Sequence, residues 1–407
     1  MTDAPESAAA ALELPDPARL NEVEALTPEQ WADRRRILLE LFREHIYGEP
    51  PAVAQAITCD LRERDADACE GRATRYQVDI VLCGGALRLG ALIFVPNDIA
   101  GPVPAFAGLN FHGNHTVDPD PRIALPQAWV AASRAEMGTH TNTACEVSRG
   151  LAAGRWPVER VTGRGYAVAT LYAGQIDPDF DDGFTNGIHA LEREPRGPGS
   201  GGTIAAWAWG LSRLREATAT IEGIDPSRIM AIGHSRMGKA ALWAAAEDRR
   251  FAGAVSNGSG CLGAALSRRC MGERIADITT RFPHWFCGRC AEYADREHEI
   301  PIDQHLLLGL IAPRPLYIAS AEQDHWADPE GEFHACVHAT AIYRKLGRTG
   351  LGLAPSHDAA LPGLPPLNSS IGHEIGYHIR PGHHDITPLD WWHVLNFADR
   401  QLKLSGQ

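Results

Sequence analysis

The chain has few of the features that would hold a polyanion. Among its 407 residues Lys and Arg total 38 against 51 Asp and Glu, a formal net charge of −13. Nucleic-acid binding draws its affinity from clustered cations that release counterions, so this balance excludes a nucleic acid as the main partner. No apolar run approaches the roughly 18 residues needed to span a membrane. The first 15 residues are acidic and Ala-rich. They lack the basic stretch and following apolar run of a signal peptide, which gives a cytoplasmic reading. Cysteine is sparse: nine residues, an odd number spread along the whole length, do not make a small disulfide scaffold. Cys287 and Cys290 form a CxxC with no second CxxC and no His pair at zinc spacing, so no metal is expected.

What is present reads as one α/β unit. Residues 1–25 read as a flexible lead, and 26–407 as a single catalytic domain. A helix is predicted over 28–48, with Thr27 as N-cap, Pro28 at the first position and Gln30 completing a capping box. Trp31, Ile37, Leu38, Leu41 and Phe42 follow at helical spacing, and Pro50 and Pro51 are expected to end it. Strand-like runs at Tyr76–Leu82 and Leu87–Val95 flank Gly84 and Gly85 as a hairpin. Further strands are predicted at Pro104–Asn110, Gly165–Tyr172, Arg228–Ile232, Phe251–Val255, Pro315–Ser320 and Glu374–Ile379. Helices are predicted over 203–221 and from Met237 to Ala246. Hairpin strands first, then strands alternating with helices, predict a mostly parallel central sheet with an antiparallel N-terminal edge and helices on both faces.

The sequence from Ile232 to Lys239 places Ser235 between a short apolar strand and a helix. That is the context of a nucleophile elbow, a tight turn that lifts a Ser hydroxyl out of the backbone. The second glycine of the usual motif falls one place late, at Gly238, with Met237 in its position. A Ser hydroxyl needs a base to take its proton, and the unpaired N–H groups of a helix start can face a developing oxyanion. Arg236 is the first of these, and Lys239 lies one turn on, toward the same side. The competing structural reading is a small-residue turn with a solvated Arg and Lys. The chain order of such enzymes puts an acid and then a His downstream. Asp324, just past the strand Pro315–Ser320, is the first choice for the acid, with Glu322 and Asp328 in reserve. Asp328 before Pro329 also reads as a helix cap. His384, on the loop after the strand Glu374–Ile379, is the candidate base, with adjacent His383 as competitor.

These motifs resemble the glucuronoyl esterases of carbohydrate esterase family fifteen, the bacterial members most closely. The likeness covers roughly residues 75–400. It rests on Gly108–His115, Arg155–Pro157, Asp177–Gly183, Gly233–Lys239, Phe282–Phe286 and Leu310–Pro315. The resemblance implies an α/β-hydrolase fold and cleavage of the ester between a glucuronoyl carboxyl on xylan and a lignin alcohol, with no cofactor and no metal. It implies Ser235 as nucleophile, His384 as base and Arg236 as an oxyanion donor, with Lys239, Glu273 and Trp326 on the sugar. A backbone N–H near His112 and Gly113 is expected to assist Arg236. Many members carry the acid as a Glu in the loop after the strand Phe251–Val255, where this chain has Gly258. Some bacterial members look as if they use an Asp after the later strand, which matches Asp324. The family is mostly exported, unlike the reading of this N-terminus. The sequence leaves the oligomeric state open, with a monomer the favoured reading. Two rivals stand: another carbohydrate esterase, such as an acetylxylan esterase, and an inactive sugar-binding hydrolase scaffold.

Overall fold

A ten-stranded sheet organises the chain in the computed structural model, which describes residues 12–132, 141–353 and 361–402. Its strands are β1 (Thr58–Asp67), β2 (Ala73–Leu82), β3 (Leu87–Pro96), β4 (Val103–Asn110), β5 (Ala167–Tyr172), β6 (Ile224–His234), β7 (Gly253–Asn257), β8 (Leu316–Ala321), β9 (Ile371–Gly372) and β10 (Ile375–Arg380). Their order across the sheet is β1-β2-β3-β5-β4-β6-β7-β8-β10-β9. The pairs from β5 through β10 are parallel, and β1, β2, β3 and β9 form antiparallel margins.

Alternation along the central strands explains why helices cover both faces. In β6, Ile229 and Ala231 join one apolar cluster while Met230 and Ile232 join the other; in β8, Leu316 and Ile318 oppose Tyr317 and Ala319. Successive strand side chains point to opposite faces, so a strand apolar at every position needs cover on both. The helices Pro28–Phe42, Thr203–Thr218, Arg236–Glu247 and Pro329–Lys345 supply the first cover, and Val158–Gly163 with Pro388–Leu402 the second.

Three sequence expectations are corrected. The capping box of Thr27 and Gln30 is present, but the α-helix ends at Phe42 and passes into a wider π turn, Arg43–Tyr47. Gly48, not the prolines, ends it. Gly48 has φ +78° and lies so close to Gly201 that a Cβ would come within 2.5 Å of the Gly201 Cα. The edge strand β1 was not expected. The strand is mostly exposed, and its run of Arg62, Glu63, Arg64 and Asp65 carries no apolar alternation, so only pairing with β2 identifies it. The lead-in is not free over its second half: Ala18 and Leu20 are buried, and Lys345 Nζ donates to the Val23 carbonyl.

Candidate active site

The site stands at the C-terminal ends of the parallel strands, where helix starts and loop tips converge. Ser235 follows β6 with φ +57° and ψ −131°, a strained position for a residue with a side chain. Its N–H donates to the Asn257 carbonyl and its own carbonyl accepts from Gly238 and Lys239, so the turn is fixed on both sides. The two glycines explain why it can be so tight. A Cβ at Gly233 would meet the Met237 carbonyl oxygen at 2.0 Å, and one at Gly238 would meet Ser256 Oγ at 2.7 Å. The late glycine therefore seats the helix against the exit of β7.

His384 lies on the loop after β10, and its Nδ1–H donates to Asp324 Oδ2 at 2.5 Å. Because Asp324 has no cap bond to the 3₁₀ turn it precedes, its side chain is committed to the His. Asp324 is buried and the His384 side chain is 43% exposed, so the imidazole stands between a buried acid and the open cavity. Glu322 and His383 are exposed and line no part of this cavity. Asp328 is the helix cap: its side chain accepts from the Gly331 N–H and pairs with Arg269 at 2.9 Å.

Ser235, Arg236, Lys239, Glu273, Asp324, Trp326 and His384 all line one cavity of about 270 Å³. Arg236 heads the helix after Ser235, and its N–H has no intrahelical acceptor there. Its guanidinium pairs with Asp179 Oδ2 at 2.7 Å and lies 4.6 Å from the centre of the Phe111 ring. Asp179 is in turn fixed by Trp285 Nε1 at 2.7 Å and His284 Nε2 at 3.2 Å. Burial alone would raise the Asp179 carboxyl, but the Arg236 charge and the bonds from His284 and Trp285 outweigh it and hold it below its ordinary range. Lys239 spends two N–H groups on the carbonyls of Ser259 and Cys261 and keeps a third, with Glu273 Oε2 at 4.0 Å. Trp326 is 48% exposed at the rim, with the Arg281 guanidinium 5.6 Å from its ring centre, and its carbonyl accepts from the Glu273 N–H.

Of the loop around His112 and Gly113, the Gly113 N–H is already engaged: it donates to Asn110 Oδ1 at 2.8 Å. His112 lines a separate cavity of about 430 Å³, which Arg236 also borders. Sequence reasoning quoted Asp179, His284 and Trp285 as parts of motifs without finding that they grip Arg236. It also missed the clamp on the base loop. Arg380 donates to the carbonyls of Pro381, His383 and Asp385 and is anchored on buried Asp390, while Arg155 pairs with Asp385 at 2.7 Å. The adjacent Arg155, Trp156 and Pro157 run was the available signal. Among the described residues no group of three or more His, Cys, Asp or Glu could hold a metal ion, and Cys287 and Cys290 are buried free thiols.

Comparison with known proteins gives the same direction. The fungal glucuronyl esterase family model matches residues 197–347. A carbohydrate esterase from an unknown prokaryotic organism is 45% identical over 399 residues, covering 96% of this chain and 89% of that protein. The solved structure of a promiscuous CE15 esterase from a marine bacterial metagenome superposes with a TM-score of 0.87 at 43% identity, over 97% of this chain and 98% of the other. A glucuronoyl esterase from Solibacter usitatus gives 0.85 at 39% identity, over 93% and 95%. The fold is that of the α/β-hydrolases, and the chain belongs to carbohydrate esterase family 15.

Proposed function

We propose that this single-domain chain is a serine carboxylester hydrolase that cleaves esters of glucuronic or 4-O-methyl-glucuronic acid, as in lignin–glucuronoxylan cross-links. The observation that carries the reading is the bond from buried Asp324 to His384 Nδ1 in the cavity that also holds Ser235 on its strained turn. A carboxylate on Nδ1 leaves Nε2 as the basic nitrogen. His384 Nε2 takes the Ser235 proton as Oγ attacks the C6 carbonyl carbon. The carbonyl π electrons move to oxygen, where the Arg236 N–H and guanidinium receive the charge. Collapse breaks the bond to the alcohol oxygen, and the imidazolium returns its proton to that leaving group. Water then attacks the acyl-enzyme with His384 again as base, releasing the uronate and restoring Ser235.

Lys239, Glu273 and Trp326 suit the sugar. A Lys N–H and a carboxylate can donate to and accept from ring hydroxyls, and a half-exposed indole offers an apolar face to the pyranose. An acetyl group has no ring or hydroxyls of its own for these residues to bind, so they favour an ester whose acyl part is the sugar. The partner is therefore a glucuronate ester on xylan or on a lignin–carbohydrate fragment. The test compares kcat/KM for glucuronate methyl or benzyl ester with galacturonate and acetyl esters. Preference for glucuronate supports the reading; equal or better turnover of acetylated xylan overturns it, and no turnover of any ester returns the inactive scaffold.

A further inference from the structure

The residue before the nucleophile is a second histidine, and the mechanism above does not use it. His234 ends β6, is 5% exposed, and its ring centre lies 4.5 Å from that of His384 with the planes tilted by 40°. On its other edge His234 Nδ1 meets Asn257 Oδ1 at 2.6 Å and the Asn257 carbonyl oxygen at 3.2 Å. Both neighbours are acceptors, so Nδ1 carries the hydrogen and donates. Burial, reinforced by His384 and Arg155, pushes the ring well below the ordinary His range and keeps it neutral.

The base has few other restraints on its plane. The His384 side chain is 43% exposed, and the bond to Asp324 fixes one ring edge but allows rotation about that axis. A flat, immobile ring packed against it removes that rotation. The Asn257 carbonyl that accepts from His234 also accepts the Ser235 N–H, so one residue at the end of β7 registers both the Ser235 backbone and the ring packed on His384.

We propose that His234 is a positioning residue: its neutral imidazole, locked by Asn257, is the platform that holds the His384 ring with Nε2 toward Ser235. The inference rests on the serine-esterase reading above. It assigns His234 no contact with substrate and no proton transfer, so its loss should slow chemistry and spare binding.

The test compares His234→Ala with His234→Phe, which keeps a ring of similar size but cannot bond Asn257. With methyl glucuronate ester, His234→Ala should lose about 10- to 100-fold in kcat at nearly unchanged KM, the size expected of a misplaced catalytic group. The downfield NMR signal of the His384 Nδ1 proton should broaden or vanish. His234→Phe, which keeps a flat ring but loses the Asn257 lock, should recover the rate and the signal in part. Wild-type kcat and signal in His234→Ala overturn the proposal, as does a His234→Phe enzyme no faster than His234→Ala. If His234→Ala does not fold, His234→Leu replaces it: a slow Leu and a fast Phe enzyme support the platform, and equal rates overturn it. Ser235→Ala is assayed alongside. Turnover surviving there sinks the serine-esterase reading itself, whereas turnover lost there and untouched in His234→Ala sinks only this inference.

Discussion

Replacing Asp324 with Asn keeps the shape of the side chain and changes one property, its charge. In the wild type the buried carboxylate meets His384 Nδ1 at 2.5 Å, a separation short enough for a charge-assisted bond that fixes both the tautomer and the ring edge. An amide can present its NH₂ to the same nitrogen. Nδ1 then becomes the acceptor, the proton moves to Nε2, and Nε2 can no longer take the Ser235 proton that the proposed mechanism assigns to it. The wrong tautomer in a Ser–His–Asp arrangement costs about 10⁴ in kcat. At about 1.4 kcal/mol per tenfold, that is about 5.5 kcal/mol of lost transition-state stabilisation. Steady-state kinetics on methyl glucuronate ester should show this loss in kcat, with KM and the melting temperature little changed. An Asp324→Asn enzyme within tenfold of wild type would refute the assignment.

Gly258 offers a sharper form of the same experiment. A Cβ built there would lie 3.3 Å from Asp324 Oδ2 and 3.5 Å from His384 Nδ1, so a side chain on this residue points at the pair. Gly258→Glu combined with Asp324→Ala should therefore recover part of the activity that Asp324→Ala loses alone. Recovery should be incomplete, because Gly258 has φ +53° and a residue with a Cβ there pays about 1–2 kcal/mol.

Ser235→Ala should lower kcat by about 10⁴ or more without changing the fold, measured by turnover and circular dichroism. Arg236→Ala should cost roughly 10² in kcat with a smaller change in KM, because the oxyanion exists only in the transition state; a loss confined to KM would make Arg236 a ground-state binder. Trp326→Ala should instead raise KM for glucuronate esters while leaving turnover of a small chromogenic acetate unchanged. Glu332 gives a pH signature. It accepts from Ser320 Oγ at 2.6 Å and from the Gly260 N–H at 3.0 Å, yet burial, with Asp324 adding to it, raises it from 4.5 to about 7. The fold thus binds that proton more tightly than the unfolded chain, so the contribution is complete below about 4.5 and is lost as pH rises through 7. The loss is at most about 3 kcal/mol. Glu332→Gln should flatten that fall in denaturant midpoint between pH 5 and 8, and parallel curves for the two proteins would exclude the assignment.

The parts of the fold legible in sequence were those with strong local signals. The central strands are apolar at nearly every position, and each was found within a few residues. The capping box at Thr27 and the Asp328–Pro329 helix start are local chemistry and were equally readable. β1 was not, because an exposed edge strand has no buried face to impose period two. The same division holds at the site. The candidates Ser235, Asp324 and His384 are read from their place after strands and from chain order, and all three line one cavity. The grip on Arg236 joins residues 179, 284 and 285, and the grip on the base loop joins Arg155, Arg380 and Asp390. These are pairings across long sequence distances between residue types that are common everywhere, and no local pattern marks them.

Sheet register also brings two loops to the His384 imidazole, the one after β7 and the one after β8. β7 and β8 are parallel neighbours with Asn257 opposite Ala319, and the Gly258 N–H donates to the Ala319 carbonyl. The residue just past β7 therefore stands beside the end of β8, and Asp324, three residues beyond that strand, folds back to the same place. The base loop is tied to this second turn rather than the first: Glu322 donates its N–H to the Arg380 carbonyl and Gln323 to that of Gly382. A Cβ at Gly258 would lie 3.5 Å from the same imidazole nitrogen that Asp324 meets, but a carboxylate after β8 shares a backbone with the turn that already holds the His384 loop. With the acid there, Gly258 no longer needs a side chain, and a glycine suits its left-handed backbone.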